Sequence, residues 1–228
     1  MPTPDRLTPN GAGLPPRTPH AACYDASMGT ELIVVRHGET IYNTRNLYQG
    51  HSDSPLTTDG EAQARALAPR IRALCTTRAL YCSDLLRARR TAELIATAGH
   101  HDVTAEPLLR ERGYGVFEGR SRDEVQQAIP TGDIDFAPPG GESQRQLHHR
   151  VVAAFDAIAS RHPGERVVAV SHGGVLIAFA KHVLGLPQDV PRRFHIHNTS
   201  LSLFERDDAG EWSVRTLGDL AHLEDWRA

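Results

Sequence analysis

Short, continuous apolar runs alternate along the chain with longer segments whose apolar residues fall three and four apart. Leu32–Val35 and Val167–Val170 are unbroken apolar runs, the pattern of strands covered on both faces. Ala79–Cys82 is a shorter run and Val103–Ala105 a weaker one. Ser200–Phe204 and Trp212–Thr216 flank Asp207-Asp208-Ala209-Gly210, which predicts a hairpin. Between these strands, Thr58-Asp59-Gly60-Glu61 reads as a capping box, with Leu67, Ile71 and Leu74 on the inner face of the helix it starts. Ser83 is placed to cap a second helix through Leu85, Ala88, Ala92 and Ile95, and Ser143 a third through Leu147, Val151, Phe155 and Ile158. Gly173-Gly174 opens a fourth helix that runs through Val183 and is stopped by Gly185 and Pro187.

Strands alternating with helices predict an α/β protein: a three-layer fold with a central, mainly parallel β-sheet flanked by helices. The segment from Arg120 to Glu142, with Pro130, Pro138 and Pro139, is poorly periodic and reads as a short helix and loop covering whatever lies beneath. A length of 228 residues suits one catalytic domain, expected over residues 29–228. The first 28 residues hold six prolines and are expected to form a flexible extension, with Met28 a candidate start.

Composition narrows the partners. A net charge of −3 gives no electrostatic reason to expect nucleic acid or an anionic membrane. The longest apolar stretch, Val175 to Leu186, is interrupted by Lys181 and His182 and is too short to cross a bilayer. No basic start followed by an apolar stretch marks a secretory signal, so a cytoplasmic location is expected. Cys23, Cys75 and Cys82 form no C-x-x-C pair; they read as reduced thiols, Cys82 buried in a strand.

The chemistry gathers at strand ends, where open α/β sheets bind their ligands. Leu32–Val35 runs into Arg36-His37-Gly38-Glu39-Thr40, Val167–Val170 into Ser171-His172-Gly173-Gly174, and Ala79–Cys82 into Ser83 with Arg87 one turn later. If these strands are parallel neighbours, two histidines and two arginines converge on one edge. Arginine forks match phosphate oxygens, glycine after each histidine would let backbone approach an anion, and a helix N-terminus adds N–H donors. A strand-end histidine can attack phosphorus through one ring nitrogen while the other donates to a carbonyl.

Four ordered motifs carry a family resemblance: Arg36-His37-Gly38-Glu39-Thr40, Ser83-x-Leu85-x-Arg87-Ala88-x-x-Thr91-Ala92, Glu111-x-x-x-Gly115-x-x-Glu118-Gly119 and Ser171-His172-Gly173-Gly174. Over about residues 31 to 217 the chain resembles the histidine phosphatase superfamily, which includes cofactor-dependent phosphoglycerate mutases and small-molecule phosphatases. The resemblance implies a phosphoglycerate mutase-like fold, with His37 as a nucleophile that becomes phosphohistidine and Arg36, Arg87 and His172 around the transferring group. Glu111 would protonate the leaving oxygen and then activate water. Asn43, Gln49, Gly50, Gly173 and Asn198 would contact or border the substrate, as would Leu56-Thr57.

Some assignments stay open. Glu106 and Glu118 compete with Glu111 for the acid role. His148 and His149 read as solvated surface. His195 and His197 have metal-compatible spacing but no evident third ligand, and no metal is expected, because arginines supply the charge. Glu142 is either a helix-start acid or a pocket residue. The expected function is a phosphomonoesterase of small phosphorylated metabolites working through phosphohistidine, without a cofactor. A phosphoglycerate mutase is the alternative, favoured by Arg112 and Tyr114 and disfavoured by the short Arg120–Pro139 segment; it would need a 2,3-bisphosphoglycerate primer. A silent phosphate-binding module is the remote third option. Oligomeric state stays open, a homo-oligomer among the options.

Overall fold

The structure is a computed structural model that describes residues 29–224 apart from 76, 100 and 192; the expected extension over 1–28, with Met28 and Cys23, lies outside the described residues. The strands are β1 (Thr30–Arg36), β2 (Ala79–Cys82), β3 (Asp102–Ala105), β4 (Arg166–Ser171), β5 (Leu201–Arg206) and β6 (Trp212–Asp219). They form one sheet in the order β3-β2-β4-β1-β5-β6. The first four run parallel, while β5 lies antiparallel to β1 and β6 antiparallel to β5. The helices are α1 (Ile41–Thr44), α2 (Thr58–Leu74), α3 (Leu86–Gly99), α4 (Arg122–Ala128), α5 (Gln144–Arg161) and α6 (Gly173–Val183).

The unbroken apolar runs serve two cores because successive strand side chains point to opposite faces. Leu32, Val34, Val167 and Ala169 pack with Phe155 of α5 and Phe179 of α6. Ile33, Val35, Val168 and Val170 pack with Leu67 and Ile71 of α2 and Ala88 and Ile95 of α3. Helices therefore cover both faces, giving the three layers. Truncating Phe155, which is fully buried, costs about 3–5 kcal/mol.

Register then positions the site. Arg36 lies opposite Ser171 and Cys82 opposite Val170, so β1, β4 and β2 end at one level. Several boundaries differ from expectation. The cap of α2 is Thr57, whose hydroxyl accepts the Gly60 N–H at 2.9 Å, with Thr58 already helical. Ser83 accepts the Leu85 N–H at 3.3 Å, just ahead of α3. Strand β6 runs to Asp219, past Thr216, because Leu201 still finds Asp219 as partner. His148 is only half-buried surface: its Nε2 lies 3.3 Å from His182 Nδ1, linking α5 to α6. Among the described residues no helix is long and apolar enough to cross a membrane.

Candidate active site

The parallel pairing of β1 with β4 brings His37 and His172 side by side. The His37 N–H donates to Ser171 O at 2.9 Å, continuing the ladder one step past β1. His172 is the N-cap residue of α6 in an extended conformation. Their ring centroids stand 5.2 Å apart at 56°. Arg87, in the first turn of α3, is 1% exposed, and His37 and His172 are 3% and 0% exposed. A cavity of about 320 Å³ opens over this cluster, with Arg36, His37, Arg87 and Glu111 on its wall.

One hydrogen bond sets the tautomer of His37. Its Nδ1 lies 2.7 Å from Gly38 O. A carbonyl oxygen only accepts, so Nδ1 carries the hydrogen and Nε2 keeps its lone pair in the neutral ring. Burial, reinforced by Arg87 and then Arg36, holds the His37 pKa well below 6.5. The same causes, burial first and Arg87 next, hold His172 well below 6.5. Neither ring nitrogen of His172 has a hydrogen-bond partner among the described residues; in the neutral ring one of them is a donor and the other an acceptor.

Arg87 is anchored from one side. Its Nη1 donates to Ser52 O at 3.1 Å and its Nη2 to Gly50 O at 2.7 Å, while Nε has no partner among the described residues. Burial lowers its pKa to about 10, against the pull of Glu111, Asp53 and Glu118, so it remains charged at neutral pH. The Gly50 turn that receives Arg87 has φ +53, and a Cβ there would stand 2.1 Å from Glu118 Oε1. Arg36 Nη1 donates to Ile196 O at 2.7 Å. A Cβ on Gly173 would come 3.4 Å from Arg36 Nε, so the glycine after His172 gives room to this guanidinium.

Position separates the three carboxylates. Glu106 caps a short turn and faces Arg161 at 3.6 Å. Glu118 braces the Gly50 loop by accepting from the His51 N–H, the Tyr114 N–H and the Ser52 hydroxyl; burial raises its pKa, but those three bonds outweigh it and the net shift is downward. Glu111 alone of the three lines the cavity. Its Oε2 accepts the Gly174 N–H at 2.9 Å and its Oε1 the Arg112 N–H at 2.8 Å. Its carbonyl is held by His51 Nε2 at 2.9 Å and Arg150 Nη2 at 3.3 Å. Glu142 pairs with Arg150 at 2.7 Å, and so supports Glu111 from outside the cavity.

Asn43, Gln49, Gly50 and Gly173 also line the cavity; Gln49 Oε1 is buried without a partner among the described residues. Asn198 does not. Its Nδ2 donates to His37 O at 3.0 Å and to Asn43 Oδ1 at 3.1 Å, which makes it a brace for the histidine turn. Two further expectations are corrected. Gly38 faces Gly60 O, 2.5 Å from where a Cβ would sit, so it serves packing on α2 rather than ligand approach. Leu56 bridges Thr40 and Thr57 caps α2; neither lines the cavity. Conversely, Tyr48, Arg122, His195 and His197 line it without having been singled out as substrate contacts. Arg122 stands 5.5 Å over the Tyr48 ring, and the His195 and His197 rings stack 5.8 Å apart. The spacing of His195 and His197 marks them only as a pair, and nothing in sequence marks Tyr48 or Arg122; the fold brings them together from the segment after α1, the start of α4 and the segment before β5.

Arg36, His37, Arg87 and Glu111 line one hollow, and the His172 ring lies buried beside His37 without reaching its wall, an arrangement of guanidinium and imidazole groups suited to an anion. The comparisons agree. A family described as the histidine phosphatase superfamily (branch 1) matches residues 32–220, and the chain belongs to it. It is 39% identical over 205 residues to a probable phosphoglycerate mutase GpmB of Salmonella paratyphi C (strain RKS4594), covering 85% of this chain and 95% of that one. Among solved structures it is similar to Bacillus stearothermophilus YhfR, with TM-score 0.77 and 34% identity over 86% of this chain and 100% of the other. A phosphoserine phosphatase from Entamoeba histolytica, solved with 3-phosphoglyceric acid, gives TM-score 0.74 and 25% identity over 85% of this chain and 99% of that one.

Proposed function

We propose that the protein is a phosphomonoesterase of small phosphorylated metabolites, with His37 as nucleophile. The observation that carries this is the Nδ1–H donated to Gly38 O, which leaves the Nε2 lone pair of a buried, neutral ring available beside two guanidiniums. In the first step Nε2 attacks phosphorus, the ester P–O bond breaks, and Glu111 passes a proton to the leaving oxygen. In the second, water attacks the phosphohistidine while Glu111 takes its proton; the N–P bond breaks and phosphate departs. Arg36, Arg87 and His172 hold the equatorial oxygens, an arrangement in which charge stabilisation is the dominant contribution. No cofactor enters either step.

A mutase differs only in the acceptor of the phosphoryl group, and the likeness to a probable phosphoglycerate mutase favours that second reading. Against it, the Arg112 guanidinium is committed to Glu142 O at 2.7 Å and Phe136 O at 2.9 Å and is absent from the cavity wall. The test follows phosphate release from several phosphorylated metabolites alongside conversion of 3- to 2-phosphoglycerate with a bisphosphoglycerate primer. Phosphate release exceeding conversion supports the phosphatase; conversion that outpaces release replaces it with the mutase.

A further inference from the structure

Glu111 stands in irregular backbone. The short turn Pro107–Leu109 ends just before it, and neither a helix nor a strand contains it. A proton donor so placed needs its backbone held from outside, because the carboxyl must stay within hydrogen-bond reach of the leaving oxygen. Successive carbonyls from Leu108 to Glu111 supply the holds. Leu109 O accepts the Ser171 hydroxyl at 2.8 Å. Those of Leu108, Arg110 and Glu111 all accept from one side chain, that of Arg150, at 2.7, 2.8 and 3.3 Å.

Arg150 spends its whole fork here. Its Nη1 donates to Leu108 O and Arg110 O, its Nη2 to Glu111 O and, at 2.7 Å, to Glu142 Oε2, and its Nε to Glu142 Oε1 at 2.9 Å. Five N–H hydrogens thus meet five acceptors. A lysine ammonium, with three hydrogens on one atom, could not replace it. The mount is rigid, since Arg150 lies on α5, whose Leu147, Val151 and Phe155 are buried in the core. An ion pair serving stability alone would bond its two partners to each other. Here three of the five bonds go instead to the segment that carries Glu111. The acid is therefore held from α6 at its carboxyl, by the Gly174 N–H, and from α5 at its backbone.

We propose that Arg150 is the positioning residue of the proton donor: through three backbone carbonyls it places the Glu111 segment, and so sets the reach of the carboxyl toward the leaving oxygen. The inference rests on the reading of Glu111 as the acid of a phosphatase. Arg150 is absent from the wall of the catalytic cavity and acts through Glu111.

The experiment measures kcat and KM for phosphate release from an alkyl phosphate and from p-nitrophenyl phosphate, in wild type, Glu111→Gln, Arg150→Met and the variant carrying both changes. Arg150→Met keeps the aliphatic stem and removes every donor. Its kcat on the alkyl phosphate falls about 10²-fold, the cost of a misplaced catalytic group. On p-nitrophenyl phosphate, whose leaving oxygen needs little proton assistance, kcat stays within about threefold, and KM for both esters holds. In the Glu111→Gln background, Arg150→Met adds less than about threefold on the alkyl phosphate, since the group it places is already disabled. Arg150→Met leaves Glu142 without its cation; should that variant fail to fold, Arg150→Met with Glu142→Gln removes the pair together and is read in the same way. No loss, equal losses on the two esters, or the full loss repeated in the Glu111→Gln background overturns the role of Arg150 while the acid stands. Equal losses from Glu111→Gln itself, or no phosphate release by the wild type, overturn the acid and the positioning together.

Discussion

The N–H of Gly174 donates to Glu111 Oε2 at 2.9 Å, so the first turn of α6 fixes the carboxyl that faces His37 across the cavity. A Cβ at position 174 would stand 2.2 Å from Glu111 Oε1; the Glu111 carboxyl thus requires the second glycine after His172. The same helix start carries His172 at its cap, so one turn of backbone places both the buried imidazole and the Glu111 carboxyl.

From this follows a leaving-group dependence. Glu111→Gln keeps the shape and one of the two backbone bonds, since its amide nitrogen cannot accept the second N–H, and it cannot donate a proton to an alkoxide. Its kcat falls about 10²–10⁴-fold on an alkyl phosphate and far less on p-nitrophenyl phosphate, whose leaving oxygen needs little help. Equal losses on both esters would count against Glu111 as the acid.

Arg87 gives a second expectation. Arg87→Ala lowers kcat by about 10²–10³-fold with the fold intact by circular dichroism. Arg87→Lys does not restore it, since a lysine cannot hold Gly50 O and Ser52 O with a fork while also facing the phosphoryl group. Full activity in the lysine variant would contradict the assigned geometry.

Acid sensitivity should come from the histidine pair. His37 and His172 sit well below 6.5 in the folded protein, while the unfolded chain binds protons there at about 6.5. Their contribution to stability is complete above about pH 6.5 and is lost as the pH falls toward the folded values, by up to about 1.4 kcal/mol per pH unit for each ring. His222, lowered to about 4 chiefly by burial, acts with the same sign. Thermal or urea unfolding between pH 7 and 5 measures the slope. His172→Gln reduces it by up to one proton's worth; an unchanged slope would refute the neutral buried state of His172.

Gly38→Ala tests the packing of the histidine turn. The added methyl meets Gly60 O at 2.5 Å, backbone against backbone, so neither side yields easily. Destabilisation of about 1–3 kcal/mol is expected, read from the urea midpoint, with a loss of activity as His37 shifts. A neutral substitution would show that α2 and the turn are less tightly apposed.

Much of this architecture was legible because local pattern and tertiary role coincide. Leu32–Val35 and Val167–Val170 could be read as two-faced strands, since an unbroken apolar run has no solvent face to offer. Strand ends followed by Arg36-His37 and Ser171-His172 then announced the site. What escaped lay where one residue's role depends on a distant segment. The sequence motif around Asn198 suggests a ligand contact, but a polar side chain near a site bonds backbone as readily as substrate, and its partners His37 and Asn43 are 161 and 155 residues away in sequence. Thr199 adopts φ +55 so that its N–H reaches Arg36 O at 3.0 Å; a β-branched residue gives no warning of a left-handed backbone. Arg122 reaches the cavity from the first position of the short helix α4, and His195 and His197 from an irregular segment whose course no periodicity encodes.

The most direct measurement is rapid quench of the enzyme with ³²P-labelled substrate, followed by mapping of the labelled peptide. The account predicts a base-stable, acid-labile phosphoryl group on His37, formed at a rate no slower than turnover and absent in His37→Ala, which is folded but inactive. Label on any other residue, or phosphate release by His37→Ala at the wild-type rate, would contradict it.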